Sequence, residues 1–192
     1  MKKSLIKVIL ATLLAITIAF PFAAAAYAAG PEGQSSKDAA ASSVQSQSLT
    51  ADEVYWLTYM REEEKLARDV YNYLYDKWQL RIFSNISKSE QRHTDSVKAL
   101  LESYGVPDLS VEEPGKFANP DLQALYDDLI KQGSTSLVDA LKVGVLIEET
   151  DIADLDKAIS ATSHGDIENV YSNLKNGSLN HLKAFNTNIS KR

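Results

Sequence analysis

Ionisable side chains stand inside the apolar stripes of this chain's helical segments, and that pattern limits the fold more than any other feature. From Thr50 onward, apolar residues recur at alternating spacings of three and four, the period of a helix with one covered face. No stretch keeps the two-residue alternation of a strand. The first stripe reads Leu57, Met60, Glu64, Ala67, Tyr71, Leu74, Trp78, and the second Ile86, Glu90, His93, Val97, Leu100, Leu101. A third runs Leu137, Leu141, Gly144, Glu148, Ile152, Leu155, Ile159, and a fourth Ile167, Tyr171, Leu174, Ser178, His181, Phe185. Four long helices that each need a covered face imply an all-α bundle. The first three stripes each carry a glutamate; the fourth carries a histidine. A carboxylate buried without a partner costs several kcal/mol, so something must compensate: protonation, a buried lysine or arginine, or a cation. The stripes hold no basic residue other than histidine.

Local signals punctuate the helices. Thr50 with Glu53 has capping-box spacing and opens the first helix. A second helix is predicted from Phe83 or Ser87 to Tyr104, where Gly105-Val106-Pro107 ends it. The glycine- and proline-rich stretch Pro107 to Asn119 reads as an irregular crossover. Asn119-Pro120 starts a short helix to about Gln132, and Ser134 or Ser136 caps a third main helix through Ile159. The last helix spans Asp166 to Ile189, with Gly177 a point where it could break; Ser178 either faces inward or caps a shorter final helix. The predicted fold is a four-helix bundle over residues 49–190, with a long middle crossover carrying a short extra helix.

The chain before residue 49 reads differently. Lys2, Lys3 and Lys7 precede an apolar run ending in Ala26-Tyr27-Ala28, so residues 1–29 are predicted to be a signal peptide and the protein to be exported, to an extracellular, periplasmic or cell-surface location. A membrane association follows only if that segment stays uncleaved. Residues 30–48 are small and polar and are predicted to be a disordered linker. Losing the three leader lysines takes the formal net charge from -6 to -9. So acidic a protein is a poor partner for nucleic acid, which needs a basic face, and is suited to cations. With no cysteine in the chain, thiolate metal sites and cysteine nucleophiles are excluded and the fold rests on its apolar core.

Glu90 and His93 form Glu-x-x-His, which sets a carboxylate and an imidazole one turn apart on one helix face, where both can hold one ion. Glu64, Glu148 and His181 aim the same ligand types inward from the other three helices. Glu149 is the neighbour of Glu148 that falls off the stripe. Glu62 and Glu63 are expected on the solvated face with Lys65 and Arg68; Tyr55, Tyr59 and Tyr71 are expected as core or rim aromatics. His164 lies in a loop and is assigned no role.

The segment EKLARDVY, Glu64 to Tyr71, resembles the first-helix pattern of rubrerythrin-type proteins, and SEQRH, Ser89 to His93, resembles their second-helix motif. With FSNISKSEQRH, LIEETDIADL and GSLNHLKAF, the chain from about Leu49 to Ile189 is similar to an uncharacterised ferritin-like family known as domain of unknown function 2202. The resemblance implies a ferritin-like bundle in which Glu64 is the first-helix ligand, Glu90 and His93 the second-helix pair, Glu148 the third-helix ligand and His181 the fourth-helix histidine. Ser178 departs from the pattern, standing where a second bridging glutamate belongs in a full di-iron site. Asp151, one turn after Glu148, could supply the missing carboxylate; without it, a first ion at Glu64, Glu90 and His93 is expected to be held more tightly than a second. The function expected is an exported metal-binding protein holding a divalent ion, iron or manganese, with oxidase or peroxidase chemistry. The alternatives are a non-catalytic binding or sensing module stabilised by metal, and a metal-free bundle with protonated carboxylates. A homo-oligomer is compatible with either.

Overall fold

The computed structural model describes residues 48–192, all-α within that range; the leader and nearly all of the linker lie outside the described residues. Five helices follow in order: α1 (Ala51–Trp78), α2 (Arg81–Ser103), α3 (Pro120–Gly133), α4 (Leu137–Ala161) and α5 (Gly165–Ile189). The connections between α1 and α2 and between α4 and α5 are short, so each pair is antiparallel. The pairs join where α1 packs on α4 and α2 on α5, while α3 lies against α1 and α4. Among the described residues no helix is long and apolar enough to cross a membrane.

The helix ends follow the local chemistry. Thr50 and Glu53 form a complete capping box, the Asn119 side chain accepts from the amides of Asp121 and Leu122, and the Ser136 hydroxyl accepts from Asp139 N. Gly105, at φ +66°, takes the left-handed turn after α2 that a side chain would resist. Helix α5 runs unbroken through Gly177. Ser178 is therefore not a helix cap: it is buried in mid-helix and its hydroxyl donates to Leu174 O at 3.1 Å.

Two apolar clusters fill the interior, one holding Val70, Tyr71, Phe83, Ile86, Leu141 and Phe185, the other Leu57, Met60, Val97, Leu155, Ile167 and Leu174. On every long helix the ionisable stripe residues fall in sequence between the residues given to one cluster and those given to the other. The core is thus two apolar halves with a polar layer between them.

One expectation fails on α1. Glu62, Glu63 and Lys65 are buried rather than solvated, and Arg68 is half-buried. The irregular crossover lies across that face of α1, and its backbone amides and carbonyls need partners. Glu62 accepts from the amides of Ala118 and Asn119 at 2.6 and 2.8 Å. Lys65 donates to Asp69 at 2.7 Å and to the carbonyls of Glu113 and Lys116, and Asp69 accepts from Gly115 N at 2.9 Å. Arg61 pairs with Asp108 at 2.9 Å and donates to Thr94. These charges fasten the crossover to α1.

Candidate metal centre

The polar layer brings Glu64 from α1, Glu90 and His93 from α2, Glu148 from α4 and His181 from α5 into one cluster. The three glutamates are each 1–2 % exposed, and His93 is 9 % exposed. Two triads share Glu90: Glu64, Glu90 and His93 form one, Glu90, Glu148 and His181 the other, and in each triad the donor atoms lie within 4.8 Å of one another. Glu90 divides its oxygens, Oε2 standing 2.8 Å from His93 Nδ1 and Oε1 2.8 Å from His181 Nδ1. Glu64 Oε2 lies 3.2 Å from His93 Nδ1, and Glu148 Oε2 3.4 Å from His181 Nδ1. The imidazoles are near parallel, with ring centroids 5.6 Å apart.

Close approach of α5 to α2 shapes the centre. A Cβ on Gly177 would stand 2.7 Å from His93 Nε2, so the glycine is needed for packing, at a helix-propensity cost of about 1 kcal/mol. On the opposite side the Tyr71 hydroxyl donates to Glu148 Oε1 at 2.6 Å. Tyr71 is thus both a core aromatic, as expected, and a support for one carboxylate.

Electrostatics separates the glutamates. Burial pushes Glu64 up to about 8, against the pull of His93. Glu148 rises to about 7, also through burial, with His181 opposing. Burial alone would raise Glu90, yet its two histidines bring it down to about 2. Burial would lower the histidines, but the carboxylates raise His93 to about 10 and His181 to about 9. Without metal the layer is a strip of carboxylates held together by protons. The pairing is incomplete: Glu64 Oε1, Glu90 Oε1 and His181 Nδ1 are buried with no hydrogen-bond partner, since the 2.8 Å approach of the last two lacks hydrogen-bond alignment.

Asp151 is buried one turn after Glu148 and belongs to neither triad. Both its oxygens lack hydrogen-bond partners, and burial, then the charges of Glu64 and Glu63, hold its carboxyl well above the usual range. Ser178 stands beside it. The shared use of Glu90 gives each triad two carboxylates and one imidazole, so the ligand sets are more alike than the Ser178 departure suggested. Glu149 is exposed, consistent with Glu148 as the inward residue.

Sequence reasoning missed Glu63. It is 4 % exposed, faces the same interior, and is held well above the carboxylate range by burial and by Asp154 and Glu64. Its one signal was position: next to Glu64, it could turn toward α4 if α1 were covered on more than one side. His164, given no role, stands at the N-cap position of α5 without a side-chain capping bond and lies 2.7 Å from Glu53 Oε1, joining the start of α1 to the α4–α5 turn, outside the two triads.

Residues 53–192 match the model of an uncharacterized protein domain, DUF2202. The chain is 53 % identical over 145 residues to the uncharacterized protein MJ0754 of Methanocaldococcus jannaschii, covering 75 % of this chain and 78 % of that one. The crystal structure of the hypothetical protein MJ0754 superposes with a TM-score of 0.75 at 51 % identity, covering 78 % of this chain and 86 % of that chain. A crystal structure of a DUF305 fragment from Deinococcus radiodurans shares the fold, with a TM-score of 0.61 at 15 % identity over 74 % of this chain and 98 % of the fragment. By the match across its helical domain and by this relative, the chain belongs to the DUF2202 family.

Proposed function

We propose that this protein is an exported, ferritin-like metal-binding protein whose polar layer holds divalent iron or manganese. The observation that carries the proposal is the convergence of buried carboxylate and imidazole donors around Glu90. Glu64 Oε1 has no hydrogen-bond partner, Glu90 Oε1 and His181 Nδ1 meet only as an ion pair, and among the described residues Glu64, Glu90 and Glu148 ion-pair with histidine alone. Carboxylate oxygen with imidazole nitrogen suits iron and manganese, and a buried polar strip left half-satisfied is costly without a ligand. Glu64 and His93 would hold one ion, Glu148 and His181 a second, and Glu90 would bridge them. Two divalent ions carry one charge more than these three carboxylates neutralise, and Asp151 is the adjacent carboxylate able to balance it.

Bound iron or manganese would supply one-electron redox chemistry toward dioxygen or peroxide. The chain's own contributions are positional. Tyr71 fixes Glu148 through a single short hydrogen bond, Gly177 lets α5 close on His93, and the two apolar clusters keep bulk water from the layer. The Nδ1 protons of both histidines, and any proton on Glu64 or Glu148, must leave as an ion binds, so affinity rises with pH.

Anaerobic loading of the full chain with Fe(II), followed by admission of oxygen, tests the redox reading. Oxygen uptake in proportion to bound iron, lost in Glu90→Ala, supports oxidase chemistry. Tight binding without uptake points to a metal-stabilised module. The ion pairs between histidines and glutamates favour one further reading, a metal-free bundle, and failure of the chain to bind either metal would establish it.

A further inference from the structure

Two buried carboxylates, Glu63 and Asp151, lie beside the triads and belong to neither. Glu63 is 4 % and Asp151 5 % exposed, yet Glu63 Oε2 and both Asp151 oxygens lack any hydrogen-bond partner. Both line a cavity of ≈ 20 Å³ between α1, α3 and α4, room for about one water molecule or one small cation. Thr150, Leu125 and Leu146 also line it and are partly exposed, so the cavity reaches the surface. On the inner side Asp151 is one turn from Glu148 and feels the charges of Glu64, Glu63 and Glu148. On the other side Glu63 adjoins Asp154, which pairs with the exposed Lys157 at 2.6 Å. Arg61 and Lys65, the buried cations two residues to either side of Glu63, are engaged elsewhere, Arg61 by Asp108 and Lys65 by Asp69 and the crossover.

We propose that Glu63 and Asp151 form the access route by which a divalent cation passes from solvent to the paired-histidine centre, holding it in transit at the cavity between α1, α3 and α4. The proposal rests on the metal-centre reading above. A cation shedding water needs oxygen donors along an otherwise aliphatic passage, and unpaired carboxylates in a low-dielectric wall concentrate cations. Two carboxylates without a histidine fall short of the donor set of either triad, so the position is transient rather than a third resident site. Such an arrangement explains why the cluster of acids extends beyond the residues that could ligate the ions.

Stopped-flow mixing of the metal-free full chain with Co(II), read by the visible bands of the bound ion, separates access from affinity. Glu63→Gln is expected to load roughly tenfold more slowly or worse, the low end of the rate gain from field focusing, and to reach the same final amplitude. Glu63→Asp should recover most of the rate, and the exposed-site variant Glu149→Gln should load like the unaltered protein. Unchanged loading in Glu63→Gln at full amplitude would overturn the route and leave the centre standing. Equal slowing in Glu149→Gln would reduce the effect to bulk charge, and a reduced final amplitude in Glu63→Gln would make Glu63 a resident ligand; either overturns the route. Absence of bands in the unaltered protein would overturn centre and route together.

Discussion

Substituting Glu90 by glutamine should destabilise the metal-free protein and remove its response to metal. Glu90 is 1 % exposed and lies 2.8 Å from the Nδ1 atoms of both His93 and His181. Glutamine keeps the size and removes the charge, leaving two imidazoles with centroids 5.6 Å apart. Glu64 and Glu148, at 3.2 and 3.4 Å, remain as partners for one histidine each. Breaking a buried pair costs roughly 3–5 kcal/mol, and a domain of this size loses about 2–4 °C in Tm per kcal/mol. The fall in Tm should therefore be roughly 6–20 °C, read by far-UV circular dichroism in EDTA. In the unaltered protein, Mn(II) at a hundredfold excess over its Kd should add about 2.7 kcal/mol per ion; in Glu90→Gln that gain should vanish. Glu149→Gln, at an exposed position, should leave both readings within ±0.5 kcal/mol. A Tm for Glu90→Gln within about 2 °C of the unaltered protein, with the Mn(II) gain intact, would refute the reasoning.

Tyr71→Phe removes the 2.6 Å donor to Glu148 and should cost about 1.5–3 kcal/mol, measurable by denaturant unfolding, with weaker binding of one ion. Gly177→Ala should gain helix propensity but drive a methyl against His93 Nε2, 2.7 Å away; titration with Mn(II) should show reduced affinity while helix content is unchanged. The metal-free protein should lose stability as pH rises. Glu64 and Glu148, raised to about 8 and 7, bind more protons folded than unfolded, so their contribution declines from about pH 4.5 through those values. The raised His93 and His181 contribute fully below about 6.5 and lose that contribution through about 10 and 9. Glu90, lowered to about 2, contributes above about 4.5 and loses its contribution as pH falls toward 2. Tm measured against pH in EDTA should therefore peak at about 4.5 and fall as pH rises from there, and added Mn(II) should move the optimum upward.

Helical period and capping residues made much of this fold legible. Stripes read at three- and four-residue spacing held Glu64, Glu90, His93, Glu148 and His181, and the same period separated Glu148 from the exposed Glu149. The sharing of Glu90 between two triads was not legible, because a stripe gives the face a residue occupies and not which neighbour each of its oxygens meets. The burial of Glu62, Lys65 and Asp69 was hidden for a different reason. Amphipathic pattern reports the face of α1 that meets other helices, whereas these residues are covered by irregular backbone whose amides and carbonyls they satisfy. Gly177 looked like a break because propensity disfavours glycine by about 1 kcal/mol; the need for α5 to approach His93 outweighs that.

Metal content of the full chain, loaded with Fe(II) or Mn(II), desalted and analysed by mass spectrometry of the elements, tests the central claim most directly. The account predicts about two divalent ions retained per chain, by the shared-carboxylate geometry of such bundles, and none in Glu90→Ala. Unaltered protein that retains no iron or manganese, or Glu90→Ala that retains as much as the unaltered protein, would contradict it.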